Sequence, residues 1–103
     1  MVTPAQCDIW WAESEHERRP VLIVTRNEAI GVLNKLVVAP VTRTVRGIPT
    51  EVALDQDDGL SDPCAASFDN LRVVLKSHLT ERISALPHRR PEVCAALGAM
   101  ADC

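Results

Sequence analysis

The run Leu36-Val37-Val38-Ala39-Pro40-Val41 constrains this chain more than any other segment. Its apolar residues stand in a row between Lys35 and Thr42, with no polar residue to mark a solvent face. So short and continuous a run predicts a strand buried on both faces, at the centre of a sheet. Around it the chain is a succession of short apolar runs separated by turn chemistry, the pattern of a small β-rich domain. Cys7 to Ala12 predicts a first strand, rich in aromatic and β-branched residues. Glu13 to Arg19 is a polar connection, and Pro20 to Thr25 a second strand, with proline at a first position that sheet geometry tolerates. Asn27 to Asn34 predicts a loop or short turn, and Lys35 to Thr42 is the third strand.

Downstream, Gly47 and Pro49 punctuate a loop from Arg43 to Pro49. Thr50 to Leu54 alternates and predicts a half-buried strand, followed by an acidic turn region from Asp55 to Pro63. Cys64 to Phe68 and Leu71 to Leu75 make one or two further strands around Asp69-Asn70. Ser77 to Leu79 predicts a single helical turn, and Glu81 to Leu86 a last strand that Pro87 ends. From Arg90 the period changes. Pro91 suits the first turn of a helix, Glu92 favours its positive end, and Val93, Ala96, Leu97 and Met100 form one apolar stripe. About six short, mostly antiparallel strands and one C-terminal helix close best as a compact barrel, which protects the sheet edges.

A length of 103 residues predicts a single domain over positions 1–103, with one modest core. Hydrophobic content of 47% against 24% charged residues is that of a globular chain and excludes a disordered one. No apolar run approaches the ~20 residues that span a bilayer. Met1 to Gln6 has neither a basic start nor an apolar stretch, so no signal peptide is expected and the protein is expected in the cytoplasm. Cys7, Cys64, Cys94 and Cys103 are scattered, with no C-x-x-C and no histidine at finger-like spacing. Neither a metal nor a cofactor is expected; the cysteines should be small buried hydrophobes plus a terminal free thiol.

The formal net charge is −3, which argues against a nucleic-acid partner until its distribution is considered. The only acid between positions 18 and 50 is Glu28, against Arg18, Arg19, Arg26, Lys35, Arg43 and Arg46. The segments on either side are net acidic. A basic middle within an acidic chain is compatible with a local anion site. Two residues make that site specific: Arg19, where Arg18-Arg19-Pro20 enters the second strand, and Thr42, where the third strand ends. A guanidinium offers a planar fork of donors to phosphate oxygens, and a threonine adds a short, stiff hydroxyl.

In this order and at this spacing, the chain resembles the MazF/PemK family, the toxin halves of bacterial toxin–antitoxin pairs. The residues that carry the resemblance are Asp8-Ile9-Trp10-Trp11, Ser14-Glu15, Arg18 to Val24, Val38-Ala39-Pro40-Val41-Thr42, Pro49-Thr50-Glu51-Val52, and Asp69 to Val74 followed by Lys76-Ser77-His78-Leu79. It departs from the family pattern at Cys7 and Glu13, where glycines are usual, and at Asn70, where glutamine is common. The resemblance implies an SH3-like barrel with a C-terminal helix, acting as a homodimer. It also implies a metal-independent endoribonuclease that cuts single-stranded RNA by attack of the 2′-hydroxyl, leaving 2′,3′-cyclic phosphate and 5′-hydroxyl ends. Carried onto this sequence, it makes Arg19 and Thr42 the catalytic pair, with Glu15 as a loop carboxylate; Glu15 and His16 are the candidate proton acceptors. RNA contacts are expected from Trp11, Ser14, His16, Arg18, Arg43, Thr44, Arg46 and Asn70. An acidic antitoxin is the expected protein partner.

Two other readings compete. A CcdB-type toxin shares the barrel, binds a topoisomerase and needs no nuclease chemistry, so fold alone does not separate it. The discriminating feature is the pair Arg19 and Thr42, which a pure binder would not need. An SH3-like peptide module needs an aromatic-lined groove, which a chain with one Phe, two Trp and no Tyr is poorly equipped to build.

Overall fold

The computed structural model describes residues 3–102; Cys103, and with it the expected terminal thiol, lies outside the described residues. Seven strands run in chain order: β1 (Asp8–Glu13), β2 (Arg18–Ile23), β3 (Lys35–Thr42), β4 (Glu51–Leu54), β5 (Cys64–Ser67), β6 (Arg72–Leu75) and β7 (Leu79–Ala85). A single helical turn, α1 (Asn27–Ile30), joins β2 to β3, and α2 (Arg90–Met100) closes the fold. The sheet order is β4-β5-β3-β2-β1-β7, with β6 added against β3, and every pairing is antiparallel.

The apolar run becomes β3, and β3 organises the sheet. Along one edge it pairs with β2, from Val21↔Pro40 to Ile23↔Val38. Along the other it serves two partners: Lys35 to Val38 pair with β6, and Val41 and Thr42 pair with β5. Pro40 falls at the changeover between them, where the ladder on that edge already breaks and a residue lacking an N–H does least harm. Burial on both faces follows as expected. Ala39 and Val41 join Ile9, Leu22, Val52, Phe68 and the α2 residues Val93 and Ala96 in one core. Leu36 and Val38 face the other way, onto Trp10, Val21, Ile23, Ile30 and Leu79. At about 1.5–3 kcal/mol for each fully buried aliphatic side chain, this one strand anchors both cores.

The structure refines several expectations, among them the second strand, which runs from Arg18 to Ile23 and so takes in Arg18 and Arg19 ahead of Pro20. Of the one or two strands expected between Cys64 and Leu75 there are two, which makes seven among the described residues, because a 3-10 turn over Phe68–Asn70 splits β5 from β6. The last strand starts earlier, at Leu79, because its first residue plugs the second core. Met100 remains 36% exposed, so the α2 stripe is buried only through Val93 and Ala96, with Leu97 packed against them. Cys7 and Cys64 are buried free thiols as expected, but Cys94 is exposed. It sits one residue past Val93, about 100° round the helix from the core-facing side.

The backbone at Cys7 is one that glycine adopts more readily than cysteine. Its φ of 73° is in the left-handed region, imposed where the chain enters β1. The entry is pinned by the Cys7 amide donating to the Ile23 carbonyl at 2.9 Å and by Leu86 donating back to the Cys7 carbonyl at 3.2 Å. The buried carboxylate of Asp8 completes the start of the strand, accepting from the Ala5 amide at 2.9 Å and the Trp10 indole at 3.1 Å.

Candidate functional site

The β1–β2 and β2–β3 registers bring Arg19 and Thr42 together. In β2–β3 pairing Val21 faces Pro40, so the same antiparallel register continued outward sets Arg19 opposite Thr42. On its other side Arg19 pairs with Ala12 of β1. Both side chains line one polar groove of about 520 Å³. Thr44 and Arg46 of the β3–β4 loop and Asn70 of the turn before β6 line it too.

Three cations, Arg19, Arg46 and Arg72, line the groove against two carboxylates, Glu51 and Asp69. Among the described residues Arg19 makes no ion pair. The groove's two carboxylates keep their charge but are tied by hydrogen bonds to neutral groups of the protein. Glu51 accepts from the Arg46 and Gly47 amides at 2.9 and 3.0 Å, which shapes the β3–β4 loop. Asp69 accepts from the Thr50 hydroxyl at 2.6 Å. Thr42 is oriented by the same logic. Its hydroxyl oxygen accepts from the Thr44 amide at 3.2 Å, which leaves its own O–H to donate into the groove. The arrangement is a guanidinium and a hydroxyl side by side, suited to an anion with several oxygens.

Glu51, Ser67, Asp69 and Arg72 line this groove without having been singled out in sequence as site residues. Their placement depends on β4–β5 and β3–β6 pairing, which local patterning does not encode; the available signal is that Glu51, Asp69 and Arg72 lie within the segments that carry the resemblance. Arg72 Nη1 meets Glu17 Oε1 at 2.8 Å, tying the β1–β2 loop to the groove wall. That loop carries Ser14, Glu15 and His16, all exposed and none lining the groove. The Glu15 and His16 side chains are over nine-tenths exposed and stand 4.0 Å apart.

A second, more apolar cup of about 410 Å³ lies across Thr42, which lines both. Trp11, Pro20, Val41, Leu60, Cys64 and Ile83 wall it, and Arg43, Ser61 and Asp62 add its polar residues. Arg18 stacks on the Trp11 ring, its guanidinium carbon 3.9 Å from the ring centroid, and pairs with Glu13 at 3.4 Å and Glu81 at 3.8 Å. Burial pushes the Cys64 thiol up, and nearby Asp58 and Asp62 add to the effect, so it serves the cup as a neutral wall. Among the described residues no group of three or more His, Cys, Asp or Glu is placed to hold a metal ion.

The family model of PemK-like, MazF-like toxins of type II toxin–antitoxin systems matches residues 5–100. The probable endoribonuclease MazF5 of Mycobacterium tuberculosis is 36% identical over 103 residues, covering 97% of this chain and 94% of that protein. The endoribonuclease MazF3 of the same species is 40% identical over 81 residues, or 78% of this chain and 79% of that one. Among solved structures, the M. tuberculosis toxin MazF-mt6 matches with a TM-score of 0.83 at 36% identity, over 92% of this chain and 96% of its own. A MazE–MazF structure from Deinococcus radiodurans matches with a TM-score of 0.78 at 26% identity, over 99% and 98%. With the curled antiparallel sheet and the terminal helix in place, the chain belongs to the PemK-like, MazF-like toxins of type II toxin–antitoxin systems.

Proposed function

We propose that this toxin is an endoribonuclease that cuts single-stranded RNA in the Arg19–Thr42 groove. The observation that carries the reading is an arginine that makes no ion pair among the described residues, in one groove with a hydroxyl that accepts from the Thr44 amide and keeps its O–H to donate. In the chemistry proposed, the ribose 2′-hydroxyl attacks the adjacent phosphorus and the 5′-oxygen of the next nucleotide leaves. The products are a 2′,3′-cyclic phosphate and a 5′-hydroxyl. Negative charge grows on the non-bridging oxygens, and Arg19 is the preorganised donor that stabilises it. Thr42 holds one of those oxygens by its O–H. Arginine keeps its proton at all physiological pH values, so it is a charge stabiliser and not the base. Glu15 is the family-implied carboxylate, and its exposed position on the β1–β2 loop requires that loop to move for it to act.

The partners follow from the same reading. The MazE–MazF complex of D. radiodurans supports an antitoxin partner for this chain, and the basic groove suits an acidic one. A homodimer is proposed with it. The β6 side chains Val73 and Leu75 are 63% and 39% exposed, apolar surface of the kind that marks protein contacts. Among the described residues no helix is long and apolar enough to cross a membrane, and a toxin acting on cellular RNA would work in the cytoplasm.

The test is digestion of single-stranded RNA by the purified protein in EDTA, with chemical analysis of the new ends. Fragments with 5′-hydroxyl and cyclic phosphate ends are expected. Dependence on added magnesium, or 5′-phosphate ends, would overturn the mechanism.

A further inference from the structure

The cup on the far side of Thr42 takes no part in the phosphate chemistry, yet it shares that residue with the groove. A phosphate held at Thr42 keeps its flanking bases within one nucleotide of it. What lies at that distance is an apolar recess, not open solvent. Its volume of about 410 Å³ is at the low end for small-molecule pockets, the size for one ring system rather than a helix.

We propose that this cup is a nucleobase subsite: it receives one unpaired base next to the phosphate held at Thr42 and selects it. The proposal rests on the ribonuclease reading and goes beyond it by giving the base its own site. Trp11 lines the cup as an aromatic wall, with Arg18 stacked on one face of its ring and the other face left for a base, and single-stranded RNA is read by splayed bases packed on such surfaces. Leu60 and Ile83 supply the apolar walls opposite. The polar part is matched to a base edge, since Arg43 Nη2 and Asp62 Oδ2 stand 3.7 Å apart as a loose, exposed pair. One offers donors and the other an acceptor, so both can turn to a base without a buried charge being broken. An apolar peptide side chain would need the walls and would have no use for this pair.

The recess is a built feature. Its 59–63 wall is held by Arg89 Nη1 on Asp58 Oδ1 at 2.7 Å and by the Ser84 hydroxyl donating to the Asp58 carbonyl at 2.7 Å. Gly59 packs there so closely that a Cβ would stand 3.1 Å from Ser84 Cβ, at a φ of 90° that favours glycine.

The experiment uses the wild-type protein and a short RNA containing its mapped cleavage site. Each nucleotide flanking the cut is replaced in turn by an abasic one. Loss of one base, and only one, should lower kcat/KM about tenfold or more, the range of a single base–aromatic stack. Asp62→Ala, at an exposed residue, should change the base preferred at that same position by about fivefold or more while cleavage continues. Leu60→Trp, which fills the recess, should reproduce the abasic loss on the unmodified RNA. Cleavage that tolerates every abasic position overturns the subsite and leaves the ribonuclease reading standing. If, in addition, Leu60→Trp blocks binding of the partner protein, the cup belongs to a peptide side chain instead. Failure to cut any RNA overturns both readings.

Discussion

At the scale of single residues, function rests on what each polar group is already bonded to. Arg19 makes no ion pair among the described residues, whereas Arg18, Arg43, Arg72 and Arg89 each do. The planar fork matters beyond the charge, so Arg19→Lys should lower kcat by roughly a hundredfold or more, and Thr42→Ala should do likewise. Both side chains are outside the core, so the unfolding free energy from urea titration should stay within about 0.5 kcal/mol of wild type. Glu15→Gln is expected to cost less than tenfold, because its side chain is in solvent off the groove; a loss of a hundredfold or more would make it the proton acceptor. Arg19 and Thr42 were legible in sequence because each stands at the end of an apolar run whose strand identity is plain. Glu51, Asp69 and Arg72 were not, since only long-range pairing brings them to the groove. The Cys7 departure from the family glycine was visible as a letter, but its left-handed backbone was not.

At the scale of elements, the eight-residue strand β3 was legible from end to end, because a continuous apolar run bounded by Lys35 and Thr42 admits little ambiguity. At the short, partly apolar turn Phe68–Asn70, composition marks a break between strands but does not reveal that β5 and β6 pair with opposite ends of β3. The least expected device is the clamp around Arg89. Its guanidinium reaches Asp58 at 2.7 Å, the Ala53 carbonyl at 2.6 Å and Glu92 at 2.7 Å, which joins β4, the 55–63 turn and the start of α2. Its side chain is 16% exposed and that of Asp58 9%, so the pair is nearly dry. Removing one partner of such a pair strands the other's charge. Arg89→Ala should therefore cost about 3 kcal/mol in urea unfolding, with Arg89→Lys in between. An unchanged midpoint for Arg89→Ala would show that the clamp is dispensable.

At the scale of the whole molecule, two properties follow from burial and exposure. Burial raises the thiols of Cys7 and Cys64 in the folded protein. Below roughly pH 8.5 these groups are protonated in both states and stability is at its full value; as pH rises through the folded values, the unfolded chain gains by ionising first. Urea midpoints should therefore fall between about pH 7 and about pH 9.5, and replacing both cysteines by alanine should flatten that slope. On the surface, Val73→Glu should convert the proposed homodimer to monomer in light scattering, because it puts a charge on the most exposed apolar residue of β6. A dimer unaffected by that change would move the interface elsewhere. Beneath both lies the claim that one groove, built by Arg19 and Thr42, cuts RNA. It is tested most directly by digesting a defined single-stranded RNA in EDTA with wild-type protein and with Arg19→Ala purified in parallel. The expected result is cleavage at discrete sites with 5′-hydroxyl ends by wild type, and at most about one per cent of that rate by a folded Arg19→Ala. Equal cleavage by the two proteins would contradict it.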